Sequence, residues 1–268
     1  MKLLLTIFLF VSILAKAQDL AQPPARQWKG NFIDFAPDNL GNLYLLTTDY
    51  QLKKFSVKGD SMGVFNDVKR YGKLTTINAS NPLRTILYYK DFRTVLVLDR
   101  LLNAVNTIDL RKLNIFQVKA VAPAYDNSIW VFDEQESKLK KIGEDGKLLS
   151  ETADLRLVLD EAPLPQKIFD QNGFVYLYDP SKGIFIFDYY GALKNRIALI
   201  DWKNLQVLGN NIVGIKDGKI LSYKTGTLEI SETPVPQFIT NSKDLHITPV
   251  GIYVMDSGGV SLYSFSGY

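Results

Sequence analysis

Ile129-Trp130-Val131, with an aspartate at Asp133 and then Lys138-Leu139-Lys140-Lys141-Ile142, is the stretch that decides the fold, because the chain repeats it. A turn residue, a short apolar run and an aspartate a few positions on recur at Leu43-Tyr44-Leu45, Ile86-Leu87-Tyr88, Val175-Tyr176-Leu177, Ile212-Val213-Gly214 and Ile252-Tyr253-Val254. Successive runs start 43, 43, 46, 37 and 40 residues apart. A period of this length marks a supersecondary unit that cannot bury its own faces and must stack on copies of itself.

Each unit reads as four strands. The central run is apolar on both parities, so both of its faces should be buried, and four of the six carry an aromatic in the middle: Tyr44, Trp130, Tyr176 and Tyr253. Those rings should pack between neighbouring units. An inner strand precedes each run: Phe32 to Phe35, Leu74 to Ile77, Val118 to Ala122, Gln166 to Phe169, Leu205 to Leu208 and Leu245 to Thr248. A third strand follows, with Leu-Lys-Lys shared by the first and third units (Leu52-Lys53-Lys54, Leu139-Lys140-Lys141). Its mixture of apolar and charged residues suits a solvated rim. Glycine-bearing turns at Gly59, Gly146, Gly191 and Gly226 then lead into a short outer strand. With six such units and no helical periodicity, the chain is expected to be all-β, a six-bladed β-propeller of four-stranded antiparallel blades. The blades span approximately 31–73, 74–117, 118–164, 165–203, 204–243 and 244–268. The last unit lacks an outer strand, and residues 26–30 have no unit of their own, so they should close the ring as its missing edge.

Residues 1–17 stand apart. Lys2, an apolar core from Leu3 to Leu14 and the small residues of Ala15-Lys16-Ala17 read as a secretory signal cleaved before Gln18. That core is shorter than the roughly 20 apolar residues a spanning helix needs, so no transmembrane span is expected after cleavage. The domain is then 18–268. There is no cysteine, hence no disulfide and no lipidation site of a bacterial lipoprotein. These features suit export to the periplasm or outer surface of a bacterium. Net charge is +3, from 31 basic and 28 acidic residues. Nothing resembles the basic footprint of a nucleic-acid binder, and Lys69-Arg70 with Lys73 reads as a solvated loop.

Asp49, Asp91, Asp133, Asp179, Asp217 and Asp256 form a column after the second strands. An aspartate there accepts backbone hydrogen bonds in a tight turn, and one per blade sets the six too far apart to share an ion. On these strands and this column the chain resembles the NHL-like and TolB-like six-bladed propellers of exported bacterial proteins. Some propellers of this shape are lactonase-like enzymes, and that resemblance implies a divalent cation, calcium by its oxygen ligands, held on the channel axis. The residues available for it are Asp34, Asn78, Asp170 and Asp244, on or beside inner strands. Lys119 and Lys167, also on inner strands, would repel a cation, and Gln206 replaces a carboxylate.

Other chemistry is sparse. The single histidine, His246, excludes a histidine pair for zinc, and no nucleophile elbow, phosphate-binding loop or dinucleotide fingerprint occurs. His246 lies on the sixth inner strand, as a channel residue or as packing. No catalytic or metal-binding set and no cofactor is therefore assigned. Asp34, Asn78, Lys119, Lys167 and His246 are the expected channel lining. Strand direction puts the blade-to-blade links and the second-to-third turns on one face. The links are the longest loops, and Tyr71, Phe116, Trp202 and Phe238 lie in them, as recognition residues or as caps on the core beneath. Pro163, Pro165, Pro234 and Pro236 stiffen two of these links. The expected role is that of a non-enzymatic module binding a protein or envelope component through the loop-rich face. The alternative is a calcium-dependent lactonase-like hydrolase or lyase.

Overall fold

The structure, a computed structural model, describes residues 23–264. Residues 1–17, read as a secretory signal, and Phe265, read as the end of the sixth unit's third strand, lie outside the described residues. Twenty-four strands form six separate four-stranded antiparallel sheets. The inner strands are Phe32–Pro37, Thr76–Asn81, Val118–Pro123, Lys167–Gln171, Lys203–Leu208 and Asp244–Thr248. The ring closes as the sequence implies. Strand Arg26–Lys29 pairs with Gly259–Tyr263, setting Arg26 opposite Leu262 and Trp28 opposite Val260.

The core is divided among the seams between blades. Alternate side chains of one central strand serve two seams. In blade one, Leu43 and Leu45 join Trp28, Tyr253 and Val260 at the closing seam, while Tyr44 and Leu46 join Leu87, Leu96 and Leu98 of blade two. Six clusters of this kind cover the six seams. The middle aromatics fall where the repeat puts them: Tyr44, Trp130, Tyr176 and Tyr253 are all buried in seams.

Two expectations change. The links are not plain loops, for single helical turns at Val68–Tyr71, Leu110–Leu113, Leu155–Val158 and Gln237–Ile239 shorten four of them. Nor are three of the four Leu-Lys-Lys lysines on a solvated rim, since Lys54, Lys140 and Lys141 are buried. Each ammonium has a partner there. Lys54 donates to the Arg100 carbonyl (2.8 Å), Lys140 to Asp133 (2.8 Å) and Lys141 to Asp126 (2.7 Å). Lys141 also lies over the rings of Tyr125, Trp130 and Tyr189, at 4.7, 5.2 and 5.5 Å from their centres.

The aspartate column caps turns at several positions. Asp133 Oδ1 accepts from the Gln135 amide, Asp179 Oδ1 from the Ser181 amide and hydroxyl, and Asp256 Oδ1 from the Gly258 and Gly259 amides. Asp49 instead accepts from the Thr47 hydroxyl.

Candidate functional site: the central channel and the hairpin tips

The inner strands of all six blades surround one cavity of about 1200 Å³. Its wall runs from Phe116 and Gln117 at the link face to Asp38, Pro123 and Pro249 at the opposite face. Asn78, Lys119, Lys167, Gln206 and His246 line it.

The structure gathers some of the sequence candidates and separates others. Asp34, Asp244, His246 and Lys167 act on one another. His246 Nε2 lies 4.0 Å from Asp244 Oδ2, and the His246 ring stands edge-on to Phe35 at 5.0 Å. Burial drives the His246 imidazole down to about 4; Asp244 opposes this and Lys167 reinforces it. The ring is therefore neutral at pH 7. Burial raises the Asp34 carboxyl to about 6, against a hydrogen bond from the Phe35 amide (2.8 Å) and with help from the Asp244 charge. Asp244 accepts from the Leu245 amide at 2.8 Å, and the Asn204 amide, turned to satisfy both its neighbours, donates to it at 3.2 Å. Gln206 accepts from the Ile247 amide at 2.8 Å, tying blade five to blade six.

Asn78 and Asp170 do not join this group. Asn78 is occupied by the Ser80 amide and hydroxyl. Asp170 accepts from Tyr189 Oη (2.6 Å), Trp130 Nε1 (2.8 Å) and the Tyr125 amide (3.1 Å), which makes it a pin between blades three and four. No cluster of three or more acidic or histidine side chains able to hold a metal ion occurs among the described residues.

Of the four link aromatics, two cap the core instead of facing solvent. Tyr71 is buried in the seam of blades one and two, 5.3 Å from Tyr89. Trp202 is buried between blades four and five, pressed on Gly214, where a Cβ would come within 3.0 Å of its ring. Phe238 stacks on Tyr263 at 4.0 Å. Phe116 alone of the four is exposed, and its carbonyl accepts from Arg93 Nε (2.8 Å) at the channel mouth.

Six strongly exposed apolar side chains sit on the opposite face, at hairpin tips that the link-centred reading passed over, while Leu157, 83% exposed, lies in the link between blades three and four. Leu40, Leu83, Leu101 and Tyr125 are 62, 63, 61 and 65% exposed, and Tyr190 and Leu228 are 94 and 96% exposed. They come from five blades. Three occupy one turn design. Asp38, Asp99 and Asp188 each take the amides two and four residues on, at 2.8–3.0 Å. The residue at the fourth position has positive φ: Gly41 (81°), Leu102 (66°) and Gly191 (85°). This geometry aims the third residue, Leu40, Leu101 or Tyr190, straight into solvent. The pattern Asp-x-Leu/Tyr was visible in the sequence, and reading turns by their tips would have found it.

By fold the chain is a six-bladed β-propeller. No family model matches the sequence, and no curated protein matches it. Solved structures do. The chain aligns with a streptogramin B lyase (TM-score 0.59, 11% identity, 92% of this chain and 87% of that one). It aligns equally with virginiamycin B lyase from Staphylococcus aureus (TM-score 0.57, 10% identity, 91% and 89%). PorZ of Porphyromonas gingivalis, a bacterial surface component of the type-IX secretion system, matches with TM-score 0.57 and 11% identity over 90% of this chain but only 33% of that one. At such identities the likeness is one of architecture.

Proposed function

We propose that this chain is an exported, non-catalytic propeller that serves as a protein-binding scaffold in the bacterial cell envelope, holding its partner on the hairpin-tip face. One observation carries the reading: six large apolar side chains displayed at turn tips of a single face. Turn tips favour glycine, asparagine, aspartate and serine for backbone reasons, so Leu and Tyr there are not required by folding. Large apolar side chains displayed on one face suit a protein interface, with tyrosine among its preferred anchors. The reading of residues 1–17 as a secretory signal supports export. The fold is shared by lyases and by a surface component and so does not choose between them; the tips support the scaffold reading.

The test is a photo-cross-linker at position 190 in intact cells, compared with the Leu40→Asp/Leu101→Asp/Tyr190→Asp variant carrying the cross-linker at position 228. A discrete cross-linked protein that the triple variant loses is the expected result. A cross-linking profile unchanged by the three aspartates overturns it.

A second reading has its own observation. Asp34 is raised to about 6 and His246, which lines the large cavity, is lowered to about 4, and perturbed acidities of this kind cluster at functional sites. Hydrolase or lyase turnover abolished by His246→Ala, with calcium retained in elemental analysis of the purified protein, would favour that reading over the scaffold.

A further inference from the structure

Residues 67–119 hold ten basic and four acidic residues, a net +6, which leaves −3 for the rest of a chain whose net charge is +3. The fold draws most of this excess to one place. Lys69, Arg70 and Lys73 lie in the first blade-to-blade link, Lys90 and Arg93 in the second-to-third turn of blade two, and Arg111 and Lys112 in the second link. All three loops open on the link face. They also touch one another. The Phe92 ring rests on Gly72, where a Cβ would stand 3.1 Å from it, and the Arg93 carbonyl accepts from the Leu110 amide at 2.9 Å. One continuous basic sector results over blades one to three, reaching inward to Lys119 on the channel wall.

The acids in and beside this sector are Asp49, Asp67, Asp91, Asp109 and Glu134. Asp109 is held by Arg111 at 2.8 Å, and among the described residues no other cation of the sector makes an ion pair. The arginines and Lys73 are occupied in other ways. Arg70 and Lys73 lie over the Tyr71 and Tyr50 rings at 5.0 and 5.5 Å, and Arg93 Nε is bound to the Phe116 carbonyl. Lys69, Lys90 and Lys112 remain, one on each loop and all exposed. An arginine fork reads one phosphate or carboxylate in a fixed geometry, whereas a lysine ammonium is a point charge that needs no fixed partner. Lysines on three successive loops of one flat end match a flat surface of many like anions. Among them Phe92 and Phe116 are 41 and 45% exposed, and Leu157 and Val158 in the next link are 83 and 58% exposed. Apolar side chains beside cations are the means by which a peripheral protein enters the headgroup layer of a bilayer.

From this placement we infer that the link face is a peripheral docking surface for an anionic bilayer. Lipid phosphates are drawn to Lys69, Lys90 and Lys112, and Phe92 and Leu157 enter the headgroup layer. The inference goes beyond the scaffold reading and stands or falls separately from it, because it uses the opposite face. A molecule seated this way points its hairpin tips away from the membrane.

Co-sedimentation with vesicles tests it. Variants are compared with one shared amino terminus, verified by mass, so that the apolar residues 1–17 account for no difference among them. The protein is expected to bind vesicles of phosphatidylglycerol and phosphatidylethanolamine far more tightly than vesicles of phosphatidylcholine, and to be released as salt rises. Each of Lys69→Gln, Lys90→Gln and Lys112→Gln should weaken binding about fivefold, and the three together about a hundredfold, with circular dichroism unchanged. The Leu40→Asp/Leu101→Asp/Tyr190→Asp variant should bind vesicles as the parent does, which separates this face from the tips. Excess soluble glycerol phosphate should not displace the protein. Equal binding to both kinds of vesicle, indifference to the triple lysine substitution, loss on tip substitution or displacement by glycerol phosphate overturns the inference. So does binding to poly-L-glutamate in place of vesicles, which assigns the sector to an acidic protein. Should the lysine variants fail to fold, the parent's lipid preference and salt dependence decide.

Discussion

Lys140 and Asp133 show how a single pair can be buried within one blade. The Asp133 side chain is fully enclosed, and Lys140 reaches it at 2.8 Å while also touching Glu136 at 2.7 Å. Burial alone would lower the Lys140 ammonium, but its hydrogen bonds to Asp133 and Glu136 outweigh this and raise it. Removing Lys140 leaves the enclosed Asp133 charge without its ion partner, so Lys140→Ala should cost about 3–5 kcal/mol in chemical denaturation. Exposed pairs such as Lys147–Asp145 should cost little when broken. In the channel, two residues set opposite slopes. Asp34 is raised to about 6 from 3.8, so the folded state holds its proton more tightly, and its contribution to stability falls as pH rises from about 4 to 6. His246 is lowered to about 4 from 6.5, so its contribution rises with pH between about 4 and 6.5. The two largely cancel. Relative to the parent, Asp34→Asn should melt with a steeper gain across that window and His246→Asn with a shallower one; variants whose melting curves run parallel to the parent's would refute the assignment.

Among elements, the closing strand is the most exposed to failure because it is only four residues long and alone completes a sheet begun far along the chain. Gly259 makes the junction possible. It has φ 139°, and a Cβ there would stand 2.1 Å from the Trp28 carbonyl oxygen. Gly259→Ala must therefore push the closing strand away, and it should lower the melting temperature as much as deleting the strand does. Gly146, with φ 75° and open space around it, has no such contact, and Gly146→Ala should cost only its local backbone strain. Trp28 separates ring from donor. Its ring is buried and stacks near Tyr253 at 6.2 Å, while its Nε1 has no hydrogen-bond partner. Trp28→Phe keeps most of the packing and removes an unpaired donor, so it should shift stability by less than about 1 kcal/mol, against about 3–5 for Trp28→Ala. Equilibrium denaturation of both variants checks the contrast.

At the scale of the molecule, each seam shares its core between two blades, so no blade has a core of its own to keep. Unfolding should be a single transition, reported together by Trp28, Trp130 and Trp202, which sit in three different seams. Fluorescence of single-tryptophan variants that melt at different temperatures would contradict this. Much of that architecture was legible in the sequence because it rests on local periodicity: central strands apolar on both parities, aromatics repeating at the middle position, and a residual N-terminal strand with nowhere else to pair. The fate of the lysines was not. Lys54 and Lys140 sit in strands of mixed apolar and charged residues, as rim residues would, and only the neighbouring blade, through Arg100 for Lys54, or the preceding strand, through Asp133 for Lys140, supplies the partner that permits burial. The channel was half legible. Inner strands named its lining, but which side chains meet depends on blade numbering around a circle. Tyr71 and Trp202 were ambiguous for a similar reason, since an aromatic in a link is read the same way whether it turns outward or down.

The pairing of Arg26–Lys29 with Gly259–Tyr263 also fixes an order of events. A chain that crosses a membrane amino end first delivers the latch more than two hundred residues before its counterpart. For that whole interval the sixth sheet does not exist, and the first blade lacks the neighbour that covers Leu43 and Leu45. For a chain exported as proposed above, translocation must finish before the circle can shut, so a chaperone able to shield a bare strand edge should speed its maturation more than that of a linear stack of equal length.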